Sequence, residues 1–404
     1  MTESESAPAR DRSRRVAAAA LALLLAAGVA VVLADLAVRA ALAAGVPLDR
    51  TLLRIGGTEC RLAFDPVLGW KNVARSVDTC HGETVATNAL GMRGPEVASP
   101  KPPGTVRVLA LGDSFTWGWG AAQRDTYPAQ LEELLRARLR GGAGAPHVEV
   151  VNGGVSGYGT VQELLWLDRL GPALAPDVVV LFYYRNDFFN NLLGFEYGYP
   201  RPDYADVLGP GGAPRDLAAT PGVPRMLQHK GVYYAVAPRG VWAHSAIVRV
   251  LVARAQASAV LARRLEQLGI VRVDTLGADP PRSRQPTGID ASAVSVALVK
   301  RVVERAAALG ARTLVVVSPS TYGLTEAGYA QGVDPEWLPA PLARAGVDVI
   351  DVFPVLRDRK LLHDQLCLSP RGEHFNRFGN GVIAELVADA LIERGWLRAR
   401  RPEP

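Results

Sequence analysis

The sequence predicts an α/β protein built around a five-stranded parallel sheet, and three observations carry that reading. Short apolar runs rich in β-branched residues recur along the chain, segments of helical periodicity separate them, and each run stops at a turn residue or small polar cluster. With 404 residues, 49% of them hydrophobic and 21% charged, the chain has material for one large core with appendages. Forty arginines and five lysines give a net charge of +5, but they are scattered rather than gathered into an aromatic-interleaved patch. That distribution argues against a nucleic-acid partner.

The N-terminus is read as a membrane element. Residues 1–15 are polar and carry Arg10, Arg12, Arg14 and Arg15, and Val16 to Ala34 then runs for 19 residues without a charge. A helix of that run is roughly 28 Å long, enough for a hydrocarbon core. The expected order is a cytoplasmic tail over 1–15, a transmembrane signal-anchor over 16–45, and the remainder outside the cytoplasm, because the arginines stay inside. A cleaved signal peptide, with small residues such as Ala34 at its end, is the alternative and leaves a secreted protein.

Residues 46–104 read as a loop-rich membrane-proximal segment. It contains Cys60 and Cys80, which in an oxidising compartment can close a disulfide worth about 3 kcal/mol. Cys367 is left over and reads as a small buried hydrophobe. Neither CxxC nor a Cys/His cluster occurs, so neither a metal nor a cofactor is expected. The stretch Thr87 to Gly94, TNALGMRG, has turn glycines and a surface reading, and the prolines of Pro100 to Gly104 mark a linker into the core.

The core spans 105–398. Val106 to Leu111 is the first strand, and Ser114 follows Gly112 at its carboxyl end, the edge where ligands bind in open α/β sheets. Ser114 is there a candidate nucleophile, or with Asp113 a helix cap. A helix from Thr126 to about Leu139 leads to the strand His147 to Val151. The turn after it holds four glycines from Gly153 to Gly159, either a tight turn or a place where backbone N–H groups such as that of Gly154 converge on an oxygen. A helix over 161–170 and the strand Val178 to Tyr183 follow. Asn186 stands just beyond that strand, as a turn cap or as an amide donor at the same edge.

From about 190 to 290 the pattern loosens into a proline-, glycine- and arginine-rich insertion, read as a lid-like region over the site. Its second half predicts one amphipathic helix from about His244 to Leu268, expected to pack on the core or to lie on a membrane surface. The rhythm returns with a helix over 291–309, a strand at Thr313 to Val317 and a short strand at Val347 to Val352. His374 lies on the loop before the last helix, placed to swing over the strand edge and accept a proton from a serine.

Taken together, GDSFTWG, NGGVSGYGT, RND after a strand and EHFNRFGN resemble the four sequence blocks of the SGNH hydrolases, the GDSL esterases and lipases. TNALGMRG and the linker are similar to membrane-anchored bacterial members. The likeness covers about 64–394, apart from the insertion, and implies a flavodoxin-like three-layer α/β/α sandwich. It also implies Ser114 as nucleophile, its N–H with Gly154 and Asn186 as oxyanion hole, and His374 as general base. The GxSxG elbow of the α/β-hydrolases is absent.

Two positions depart from the family pattern. Arg185 replaces the glycine usual before Asn-Asp, and Gly372 and Arg371 stand where the family places the triad aspartate. Asp364 and Glu373 are the acids left as candidates, with a Ser-His dyad as the remaining option. The function expected is an extracytoplasmic serine esterase, hydrolase or transferase, acting on an O-acyl and foremost an O-acetyl ester of an acylated cell-envelope polysaccharide or lipid. The competing expectation is a weak or inactive binding or scaffold protein on the same frame.

Overall fold

In the computed structural model of the protein the described residues are 7–44, 46, 48, 52–53, 60–140, 145–331, 338–370 and 372–398, so Arg371 lies outside them. The chain divides into two compact units, one of residues 1–51 with 224–278, the other of 52–223 with 279–404.

The larger unit is a three-layer α/β/α sandwich. Its sheet has β1 (Thr105–Leu111), β2 (His147–Asn152), β3 (Val178–Tyr183), β4 (Arg312–Val317) and β5 (Val349–Asp351), all parallel in the order β2-β1-β3-β4-β5. This is the flavodoxin-like order. Side chains alternate between faces along a strand, and both faces here are covered, so the strands read as continuous apolar runs. Val106, Val108, Ala110, Val180 and Phe182 pack with helices α1 (Tyr127–Leu139) and α4 (Arg377–Glu393). Leu109, Leu111, Val179, Leu181 and Val315 pack with α2 (Thr160–Leu174) and α3 (Ala291–Ala308) on the other face. The last strand is shorter than its apolar run, because the Asp351 side chain accepts from the Phe353 N–H and starts a helix at Val352.

One charge sits inside β1. Arg107 is fully buried, with its guanidinium donating to Glu149 (2.7 Å) and to the carbonyls of Leu174 (2.6 Å) and Ala98 (2.8 Å). Pairing and hydrogen bonding of this kind are what make a buried charge tolerable. Through them Arg107 ties the linker and the end of α2 to the sheet's amino edge.

The segment before the sheet is more ordered than its composition suggests. It holds two antiparallel hairpins, Leu62–Asp65 with Gly69–Asn72 and Val77–Cys80 with Glu83–Ala86. Four-residue strands are too short for period-two alternation to stand out. Cys60 and Cys80 are disulfide-bonded, with Cα atoms 5.1 Å apart, and pack with Val85 and Trp117.

In the smaller unit an N-terminal helix, Ala7–Ala43, contains a stretch from Arg14 to Ala43 long and apolar enough to cross a membrane. Its leucines and valines from Val16 to Leu36 are exposed. Residues 225–277 form a three-stranded antiparallel sheet (Arg225–His229, Val232–Pro238, Val271–Gly277) carrying two helices with a core of their own. The single helix expected over 244–268 is two, Ala246–Ala255 and Ala259–Gln267, because Ser258 leaves helical geometry and its hydroxyl accepts from the Leu261 N–H. The first of them packs on this unit's sheet and on the N-terminal helix.

Candidate active site

Four loops leave the carboxyl edge of the sheet and bring chemistry together. After β1, Gly112 takes a φ of 153°, and a Cβ there would lie 2.1 Å from Thr116 Oγ1, so only glycine allows this turn. The turn is sharpened by Asp113, whose Oδ1 accepts from the Phe115 N–H at 2.9 Å and caps the short helix Ser114–Trp117. Ser114 is therefore the first residue of that helix, half-buried, with its N–H lacking an intrahelical partner.

The last loop carries His374 over the edge to meet it. His374 Nε2 lies 2.7 Å from Ser114 Oγ, a hydrogen bond of full strength geometrically. The imidazole stacks on Trp119 (centroids 4.5 Å apart, 21° between planes) and packs against Phe115 (5.0 Å). His81, at the tip of the second hairpin, packs on Trp119 at 3.8 Å. Burial first, and the neighbouring His81 second, lower the His374 pKa from 6.5 to about 4, so the ring is neutral near pH 7. Neutral imidazole is the form that can accept a proton.

Neither candidate acid touches that ring. Asp364 is exposed on the helix His363–Leu366. Glu373 turns away, its Oε2 accepting from the Tyr184 hydroxyl at 2.9 Å while its carbonyl accepts from Thr321 Oγ1 at 2.9 Å. Among the described residues the His374 ring has no second hydrogen-bond partner. Cys367 is buried, and burial pushes its thiol up to about 11, which keeps it un-ionised and unreactive.

The other two loops supply polar groups. A Cβ on Gly154 would lie 2.3 Å from the Trp117 nitrogen, so glycine is what lets the loop after β2 press against the Ser114 helix. Its single N–H donates to Asn152 Oδ1 (3.0 Å), and its carbonyl accepts from Asn72 Nδ2 (3.1 Å). Asn186 donates one amide N–H to Asp113 Oδ2 at 2.8 Å, leaving the second for a ligand. Burial drives Asp113 up to about 6, against the bonds from Phe115 and Asn186. Burial first, then repulsion from Asp113 at both and from Asp187 at Glu163, hold Glu163 and Asp187 well above the usual carboxylate range. Arg185 is exposed, with its guanidinium over the Phe189 ring at 5.3 Å.

Sequence reasoning missed the supports. TNALGMRG is an interior element, with Met92 and Arg93 buried. Arg93 donates to the carbonyls of Trp117 (2.8 Å), Gly118 (2.6 Å) and Ala121 (2.6 Å), clamping the chain just after the serine helix. Trp70 Nε1 donates to the Ser156 carbonyl at 3.0 Å, and the Tyr158 hydroxyl to the Trp70 carbonyl at 2.7 Å. Both hairpins thus brace the loops of the site. The one signal for them was Trp70, a large apolar side chain in a stretch otherwise read as loop.

Among the described residues no group of three His, Cys, Asp or Glu side chains is placed to hold a metal. The sequence matches the GDSL-like lipase/acylhydrolase family over residues 110–382. No curated protein matches it significantly. Among solved structures, a lipolytic protein of the G-D-S-L family from Desulfitobacterium hafniense DCB-2 is 14% identical, with 71% of this chain and 99% of that chain covered and a TM-score of 0.33. The acetyl xylan esterase AlAXEase is 14% identical, covering 72% of this chain and 99% of that one at a TM-score of 0.34. A two-domain esterase active on acetylated mannans is 10% identical, covering 74% and 52% at a TM-score of 0.31.

Proposed function

The chain belongs to the GDSL-like lipase/acylhydrolase family, and we propose that it is a serine esterase held at the outer face of a membrane, removing or transferring an acetyl group on a cell-envelope glycan. The observation that carries the reading is the 2.7 Å approach of His374 Nε2 to Ser114 Oγ at the carboxyl edge of the sheet. Ser114 Oγ attacks the ester carbonyl and passes its proton to His374 Nε2. The carbonyl oxygen, now an anion, takes hydrogen bonds from the Ser114 N–H and the second Asn186 N–H. Gly154 joins them by sharing the N–H it now gives to Asn152. Collapse of the intermediate breaks the bond to the alcohol, which leaves with the proton from His374. Water, or a second alcohol, then releases the acyl group from Ser114.

Trp119 and Phe115 orient the imidazole in place of a carboxylate, so the pair works as a dyad. The competing reading, a frame with decayed catalysis, is favoured by the same missing acid, since loss of the acid in triad enzymes costs about 10⁴-fold. Labelling of the membrane-bound full-length protein with a fluorophosphonate tests the first reading. Label on the intact protein and none on Ser114→Ala supports it, and equal labelling of both overturns it. In the cell, the arginines before the apolar run stay cytoplasmic and residues beyond it lie outside.

A further inference from the structure

The N-terminal helix is fastened to a part of the chain two hundred residues away. Asp35, the first charged residue after the apolar run, accepts from Ser245 Oγ at 2.7 Å and from the Ile247 N–H at 3.0 Å, so it caps the helix Ala246–Ala255. Arg39, one turn on, pairs with Asp35 at 2.8 Å and donates to the His244 carbonyl. The residues just before this pin, in the 3₁₀ turn Gly240–His244, leave Val241 81% and Trp242 40% exposed. Residues 224–278 hold eight arginines and lysines against two acids, a formal charge of +6, more than the +5 of the whole chain.

We propose that residues 224–278 form a module that rests on the bilayer surface where the N-terminal helix leaves it, contacting acidic head groups with its basic residues and the acyl boundary with Val241 and Trp242. The proposal rests on the reading of that helix as a membrane span. Asp35 marks the depth at which the span ends, because a charge is costly in the hydrocarbon. Val241 and Trp242 lie within a few residues of the group that Asp35 holds, which puts them near the interface. That is the level tryptophan prefers, its ring apolar and its N–H wet. A net charge of +6 over residues 224–278 is drawn to an anionic lipid surface. The partner is thus a lipid surface, continuous with the lipid around the span.

The test uses the full-length chain in nanodiscs of phosphatidylcholine with phosphatidylglycerol, with a bimane label on one introduced cysteine. Val29→Cys reports on the span, Val241→Cys on the module, and Val77→Cys on an exposed site elsewhere; all three positions are exposed in the structure. Lipids brominated on the acyl chain near the head group are the quenchers. The expected result is loss of most emission from the labels at 29 and 241, none from 77, and weaker quenching at 241 when the discs are phosphatidylcholine alone. Quenching at 29 without quenching at 241 overturns the module's contact and leaves the span standing. No quenching at 29 overturns the span and the proposal with it. Equal quenching at 241 in both lipids overturns the part played by charge.

Discussion

His374 is held by rings rather than by an acid, and its pH behaviour follows. Burial and His81 lower its pKa to about 4, so the base stays unprotonated well below neutrality. The expected kcat/KM for a simple acetyl ester falls steeply as pH drops through about 4, with a lesser step near 6 where Asp113 takes a proton and loosens its hold on Asn186. A single major inflection near 6.5 contradicts this. For stability the sign is the same: the unfolded chain protonates this histidine at about 6.5 and the fold only at about 4, so acidification across that window weakens the fold. Ser114→Ala and His374→Ala should each abolish nearly all turnover, and Asn186→Ala should lower kcat about 10²- to 10³-fold. Asp364→Ala should leave kcat unchanged, and Glu373→Gln should also retain it, because an amide oxygen still accepts from Tyr184. A loss of several orders in Glu373→Gln but not in wild type at equal expression would identify Glu373 as an acid in the reaction. At this scale the sequence was informative wherever position at a strand edge limits the choice: the serine and the histidine picked for that reason meet in space. Asn152, His81 and Trp119 were not legible, because what they do depends on contacts between distant loops.

Among the elements, the clearest unforeseen one is the turn carrying Arg93. It reads as a glycine-rich surface turn, yet three backbone carbonyls at and after the end of the serine helix accept from one guanidinium. Arg93→Met keeps the bulk and strands the Trp117 and Ala121 carbonyls, each an unsatisfied acceptor costing about 1–3 kcal/mol, while the Gly118 carbonyl keeps the Ala121 N–H. The expected outcome is a fall of about 3 kcal/mol or more in urea-unfolding stability, together with a drop in kcat at unchanged KM, since the serine helix loses its brace. An unfolding midpoint equal to wild type would show that the clamp carries no weight. The five strands were legible for a plain reason: a parallel sheet buried on both faces imprints apolar runs on the sequence. The hairpins and the broken helix at Ser258 were not, since their strands are short and a serine continues a helical pattern on paper while capping it in fact.

For the molecule as a whole, the disulfide and the apolar N-terminal helix set the handling of the protein. Reducing the Cys60–Cys80 bond frees a loop of 20 residues and should lower stability by about 3 kcal/mol, read as an earlier midpoint in urea with reductant. A reporter that works only outside the cytoplasm, fused after residue 50, should be active and should sediment with membranes; activity confined to the soluble fraction would show a cleaved signal instead. The α/β class was legible at this scale from the repeat of runs and helices, whereas the unit that joins residues 1–51 and 224–278 was not, because its short strands lie in a stretch whose composition reads as loop. That unit also has a consequence for synthesis. Asp35 and its partner Ser245 are 210 residues apart, so at about 5–20 residues per second Asp35 is made roughly 10–40 s before the Ser245 hydroxyl and the Ile247 N–H that it accepts from. Strands β1, β2 and β3 have all emerged by then, and β4 and β5 have not. The nascent chain therefore passes through a stage with three neighbouring strands and an open sheet edge, at which a holding chaperone has most to do.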